Sequence, residues 1–64
     1  MKMEIRYKGK VYKLEGKRRA ADIFKELDLN PEENLILKEG KLVAPDEVLS
    51  EDAIVEIRPV ISGG

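Results

Sequence analysis

From Lys2 to Lys8 the chain alternates strictly. Met3, Ile5 and Tyr7 fall on one side, and Lys2, Glu4, Arg6 and Lys8 on the other. A period of two predicts a half-buried strand. Gly9-Lys10 signals a tight turn, and Val11 to Glu15 alternates again with Tyr12 and Leu14 toward the core, so the two runs make a hairpin. The period then lengthens. Ala20, Ile23, Phe24 and Leu27 recur at i, i+3, i+4 and i+7, the apolar stripe of a helix, while Asp22, Lys25 and Glu26 face water. The stripe reads as core. The entry to this helix, Lys17-Arg18-Arg19, offers no Ser, Thr, Asp or Asn cap and sets three cations at the positive end of the dipole. Packing therefore has to hold the helix. Leu29 tucks under its end, and Asn30-Pro31 stops it.

Asn34 to Lys38 predicts a third strand, with Leu35 and Leu37 inward and Ile36 outward. Glu39-Gly40 turns it, and Lys41 to Ala44 returns as a short fourth strand that Pro45-Asp46-Glu47 breaks. Val48 and Leu49 cover the open end of the core from a one-turn helix or loop, and Ser50-Glu51-Asp52 makes a turn. Ala53 to Arg58 is the last strand, with Val55 and Ile57 on one face and Ile54, Glu56 and Arg58 on the other. Pro59 cannot donate to a ladder and marks where the chain leaves the sheet. Hairpin, helix, short hairpin and last strand in this order predict an α+β domain, a mixed five-stranded sheet with one main helix packed on one face. The first and last strands are both long and apolar on one face, which places them side by side and parallel at the centre. That is the β-grasp arrangement.

A chain of 64 residues predicts one domain, and a domain this small buries only about 60% of its unfolded surface. The expected division is a β-grasp domain over residues 1–59 and a flexible tail over residues 60–64. With neither Cys nor His in the sequence, disulfides, thiolate zinc sites, Cys nucleophiles and His bases are excluded together. No apolar run reaches the roughly 20 residues that span a bilayer, and no h-region follows Met1. The expectation is a soluble, cytoplasmic protein, monomeric alone. The net charge of −1 conceals an asymmetry: residues 1–19 carry eight Lys and Arg against Glu4 and Glu15, and residues 20–64 carry four against eleven acidic side chains. A solvated basic hairpin opposite acidic loops accounts for this, as does a dipolar surface that steers a charged partner.

An internal catalytic site is hard to assemble from these residues. Glycine-rich phosphate cradles are absent, and the pairs Asp46/Glu47 and Glu51/Asp52 read as turn chemistry. Tyr7 and Tyr12 point inward, which leaves the basic hairpin without the interleaved aromatics of nucleic-acid readout. We therefore expect no enzyme, bound cofactor, metal, nucleic acid or membrane. Val60-Ile61-Ser62-Gly63-Gly64 is different. Glycine packs nothing, but without a Cβ it passes through a narrow opening. Five extended residues at about 3.3 Å each reach roughly 16 Å. The tail can bring the Gly64 carboxylate into a partner's cleft while the globule stays outside. A carboxylate is a poor acyl donor, so another enzyme has to activate it, and adenylation by ATP is the usual chemistry.

A β-grasp pattern of this length ending in Gly63-Gly64 resembles the ThiS/MoaD sulfur carriers, ubiquitin-like proteins that include the thiamine-biosynthesis sulfur carrier and the small subunit of molybdopterin synthase. The resemblance covers the whole chain. It is most specific from Ala53 to Gly64, and weaker over Leu42-Val43-Ala44-Pro45 and the helix Asp22 to Leu29. It implies that a ubiquitin-activating-like adenylating enzyme uses ATP to activate Gly64, which becomes a thiocarboxylate and donates sulfur to a thiazole synthase or to the molybdopterin synthase large subunit. Gly63 supplies the narrow approach, Ser62, Ile61 and Val60 lead into it, and the sheet face opposite the helix, with Ile36 and Arg58, docks the partner. Two features depart from the family pattern: Glu39-Gly40 stands where many thiamine-type carriers have Asn with a small residue, and the helix start lacks Thr or Ser. Pathway choice stays open, as do two other readings: a modifier joined through Gly64 to lysines, and a passive binding module.

Overall fold

The first hairpin turns over two residues, one earlier than the sequence suggests. The structure, a computed structural model, describes residues 2–60. In it β1 (Lys2–Tyr7) and β2 (Lys10–Glu15) pair antiparallel, with Tyr7 opposite Lys10. Lys8 and Gly9 between them have φ of 48° and 76°. Positive φ at both positions is the twist-matched hairpin turn, which suits glycine second and strains a lysine first.

Lys17-Arg18-Arg19 is ordered rather than a solvated loop. Arg18 and Arg19 form β3 (Arg18–Arg19), and α1 (Ala20–Glu26) follows directly. The Arg18 guanidinium is ion-paired with Glu26 and donates to the Glu15 carbonyl at 2.6 Å. Its bond to Glu26 raises its pKa above the ordinary arginine value. No side chain caps α1. The Ala20 and Ala21 amides instead donate to the Glu47 and Pro45 carbonyls at 3.0 and 2.9 Å. A distant loop thus meets the need of the first turn for acceptors. At the other end Asp28 has φ 57°, the Leu29 amide donates to the Phe24 carbonyl and the Asp28 amide to the Lys25 carbonyl. This is a Schellman ending with Asp in the left-handed position, so the helix stops before Asn30-Pro31. Leu29 then packs against the core, as the sequence reading expects.

The second hairpin joins β4 (Asn34–Lys38) to β5 (Lys41–Leu42) through Glu39 and Gly40, again with positive φ at both. β5 is shorter than expected, since Val43 and Ala44 already leave it. The short β6 (Val48–Leu49) pairs antiparallel with β3. Leu49 is buried, but Val48 is exposed, so only one of the two residues expected over the open end covers it. Finally β7 (Ile54–Pro59) runs parallel to β1 and antiparallel to β4. The sheet order is β2-β1-β7-β4-β5, mixed, with the first and last strands side by side at its centre. With α1 on one face this is a small α+β, β-grasp-like domain. Its core holds Met3 and Ile5 of β1, Val55 and Ile57 of β7, Ile36 of β4, and Ala20, Ile23 and Phe24 of α1. Among the described residues no helix is long and apolar enough to cross a membrane.

The Glu39-Gly40 turn gives a test of this geometry. Ala at position 40 would have to adopt φ near 78°, so Gly40→Ala should cost about 1–2 kcal/mol. Glu39→Asn places the residue that tolerates φ > 0 at the first position and should stabilise the protein. Urea unfolding midpoints should move in opposite directions for the two variants.

Candidate functional site

The face of the sheet away from α1 is built by alternation. β1 presents Glu4 and Arg6 there, β2 presents Val11 and Lys13, and β7 presents Ile54, Glu56 and Arg58. The register sets Leu35 opposite Arg58, Ile36 opposite Ile57 and Leu37 opposite Glu56. Ile57 is a core residue, so Ile36 has to point inward with it. Ile36 is 2% exposed and Leu35 40%.

This corrects the expected docking residue. Ile36 lies under the sheet, and Leu35 stands beside Arg58 on the open face. The run Leu35-Ile36-Leu37 is apolar throughout, so its own pattern has no phase. Asn34, being polar, suggests that its parity faces water. It is buried instead, with its Nδ2 donating to the Asn30 carbonyl at 3.0 Å. Only the register against β7, whose Val55 and Ile57 are buried, sets the phase of the run. Leu42 was also missed: at 64% exposed and paired with Leu37, it extends the apolar edge of this face.

The middle of the face is charged. Arg6 Nε lies 2.6 Å from Glu4, Lys13 Nζ 3.5 Å from the same carboxylate, and Arg58 Nε 3.0 Å from Glu56. The hydrogen bond from Arg6 holds the Glu4 carboxyl below its ordinary value of 4.5, against a smaller opposing effect of desolvation. Exposed pairs of this kind contribute about 0–1 kcal/mol each. Arg58 can therefore exchange Glu56 for a partner's carboxylate at little cost.

The chain leaves this face at its edge. The Val60 amide donates to the Glu33 carbonyl at 2.8 Å, and Pro59 sits opposite Asn34 within the ladder. Pro59 therefore does not mark the departure point, and Val60, assigned to the tail, is still tied to the sheet. Successive residues of a strand direct their amides to opposite sides. The Pro59 nitrogen thus points toward β1, whose pairing with β7 ends at Tyr7 and Ile57. The missing amide costs no ladder bond. Ile61, Ser62, Gly63 and Gly64 lie outside the described residues. Among those described, no group of three or more acidic side chains is placed to hold a metal ion.

No protein-family model and no curated protein matches this sequence.

Two measurements check the face. Ile36→Ala should cost about 2–5 kcal/mol as a core truncation, and Leu35→Ala should stay within about 0.5 kcal/mol of the parent. The reverse order would restore Ile36 to the surface. Because the Glu4 pKa is lowered on folding, its stabilisation is present above 4.5 and is lost as pH falls through and below that value. The stability gap between the parent and Glu4→Gln, read from urea midpoints, should shrink on acidification.

Proposed function

We propose that this protein is a ubiquitin-like β-grasp sulfur carrier whose working terminus is the Gly64 carboxylate. The observation that carries the reading is the placement of Val60. The central strand is held by the sheet up to that residue, four residues before Gly64 and at the end of a strand that carries Arg58 on the open face. A globule whose sequence ends in two glycines, with no side chain beside the terminal carboxylate, suits delivery of that carboxylate into another protein's cleft.

The chemistry belongs to the partner. A ubiquitin-activating-like enzyme joins the Gly64 carboxylate to the α-phosphate of ATP and releases pyrophosphate. Sulfide then attacks the acyl carbon, a C–S bond replaces the C–O bond of the adenylate, and AMP departs with the electron pair. The product is a thiocarboxylate, a sulfur donor for a thiazole synthase or a molybdopterin synthase large subunit. The docking surface assigned to the activating enzyme is the face with Leu35, Leu37 and Arg58, in place of Ile36. Leu35 and Leu37 supply apolar contact, and Arg58 a guanidinium already at the surface.

The test is mass spectrometry after incubation with adenylating enzyme, ATP and a sulfide source. The expected product gains the mass difference between sulfur and oxygen at its C-terminus, and deletion of Gly63-Gly64 abolishes it. Leu35→Glu should slow adenylation at least about tenfold, a loss typical of an interface anchor, with the unfolding temperature unchanged. Three results would each overturn the reading. One is a native protein that extends beyond Gly64 without being cut back there. Another is an unchanged mass with every candidate activator. The third is a ladder of lysine conjugates in cell lysate, which would make the protein a modifier.

A further inference from the structure

Where Val43-Ala44-Pro45 leaves the sheet, it opens a gap along β4. β5 covers only Leu37 and Lys38. Beyond them the Val43 amide donates to the Ile36 carbonyl at 2.9 Å, and the chain then swings away so that the Pro45 and Glu47 carbonyls cap α1. In β4 the odd-numbered residues direct their backbone groups to β7, as the Glu33–Val60 bond shows. Asn34 and Ile36 therefore direct theirs to the other side, along the uncovered edge. Between that edge and the departing segment lies a cavity of about 420 Å³, lined by Ala20, Phe24, Asn34, Ile36, Ala44 and Pro45.

The gap has two features that a packing defect lacks. Asn34 is 6% exposed, and its Oδ1 has no hydrogen-bond partner among the described residues. A buried acceptor left unpaired costs about 1–3 kcal/mol, so a donor brought to this wall has something to gain. The rim is also acidic. Glu32 and Glu33 stand in the chain between the lining residues Pro31 and Asn34, Asp46 and Glu47 directly follow Pro45, and all four are exposed and outside the ion pairs found among the described residues. Of the bases next to lining residues in the chain, Arg19 is paired with Asp22, and Lys25 and Lys41 are outside the ion pairs found among the described residues.

We propose that this gap docks an extended segment of a basic partner protein, with an aliphatic side chain in the cavity and a flanking Lys or Arg against the acidic rim. The backbone of the segment lies along β4 and continues the sheet where β5 stops, so its carbonyl meets the Ile36 amide and its amide the Asn34 carbonyl, the Ile36 carbonyl being held by Val43. The cavity takes the side chain, and the carboxylates favour a cation on either side of it. Leu35 and Leu42 line this gap as well as the edge of the open sheet face, but the proposal rests on the uncovered edge of β4, and it stands whether or not Gly64 is activated.

The experiment selects a random dodecapeptide library on the full chain. The winning peptide is then titrated into isotopically labelled protein, with amide chemical shifts as the readout. Winners should carry Leu, Ile, Val or Met beside Lys or Arg. Shifts should concentrate at Leu35, Ile36, Leu42, Val43 and Ala44. Affinity should fall at least about tenfold in Ala44→Arg, and similarly in the double variant Glu32→Lys/Asp46→Lys, and it should weaken with added salt. Both variants alter exposed side chains, and an unchanged spectrum away from the gap verifies their fold. The proposal fails if no binder emerges, if shifts centre on Glu4, Arg6, Glu56 and Arg58 in the middle of the open sheet face, or if Ala44→Arg binds as the parent does. Winners without basic residues would identify an uncharged apolar ligand and overturn it. Shifts at the same amides on concentrating the protein alone would identify a second copy of the chain, with the same consequence.

Discussion

The parallel pairing of β1 with β7 is the constraint on which the rest depends. Parallel neighbours cannot be joined by a tight turn. The chain has to leave β1, complete a hairpin, cross the sheet as α1 and return through β4 and β5 before β7 can close beside its start. The register sets Ile5 beside Val55 and Tyr7 beside Ile57, and those side chains form the floor on which Ile23 and Phe24 rest. Fully burying one such aliphatic side chain contributes roughly 1.5–3 kcal/mol. The closure entropy of the long connection is offset only when both strands and the helix are in place together. Parallel sheets are usually covered on both faces. Here one face is open, and its central strands carry Glu4, Arg6, Glu56 and Arg58 outward.

The second dependence is less visible. α1 spans only Ala20–Glu26 and has no side-chain cap, so it cannot stand alone. Its first amides rely on Pro45 and Glu47 carbonyls. To supply them the chain after Leu42 has to quit the sheet early, and β5 is cut to two residues. One event therefore caps the helix, pairs β6 with β3 and uncovers part of β4. The cavity beside Asn34 is a consequence of how the helix is held.

The sequence alone reveals the element order, the helix stripe, the central pairing and the phase of β1, β2 and β7, because in each the apolar and polar positions alternate without ambiguity. It is silent where polarity and burial part company. Asn34 is a buried amide that looks like a surface residue, and the run Leu35-Ile36-Leu37 beside it has no phase of its own, so the expected place of Ile36 is the reverse of the real one. The ordering of Arg18 by Glu26 and the capping of α1 by a loop some 25 residues later are tertiary contacts without a local signature. Val48 and Leu49 form a strand only because β3 lies opposite them. Of the candidate site, Arg58 and its face were legible, and Leu35 and Leu42 were not.

Pro59 shows how little a residue type fixes on its own. A proline near the end of a strand suggests that pairing stops there, yet the ladder to β4 continues through Val60. What proline removes is the amide on the other side, toward β1, where no strand remains to receive it. β7 overhangs its parallel neighbour from Arg58 onward, and an overhang with free amides would invite another chain to add a strand. Proline leaves that side with a carbonyl and no donor, so strand addition there is disfavoured. A partner approaching the last described residues therefore meets side chains, Leu35 and Arg58 among them, rather than an open backbone edge. Backbone groups are presented instead on the far side of β4, at Asn34 and the Ile36 amide, as they are along the outer edge of β2.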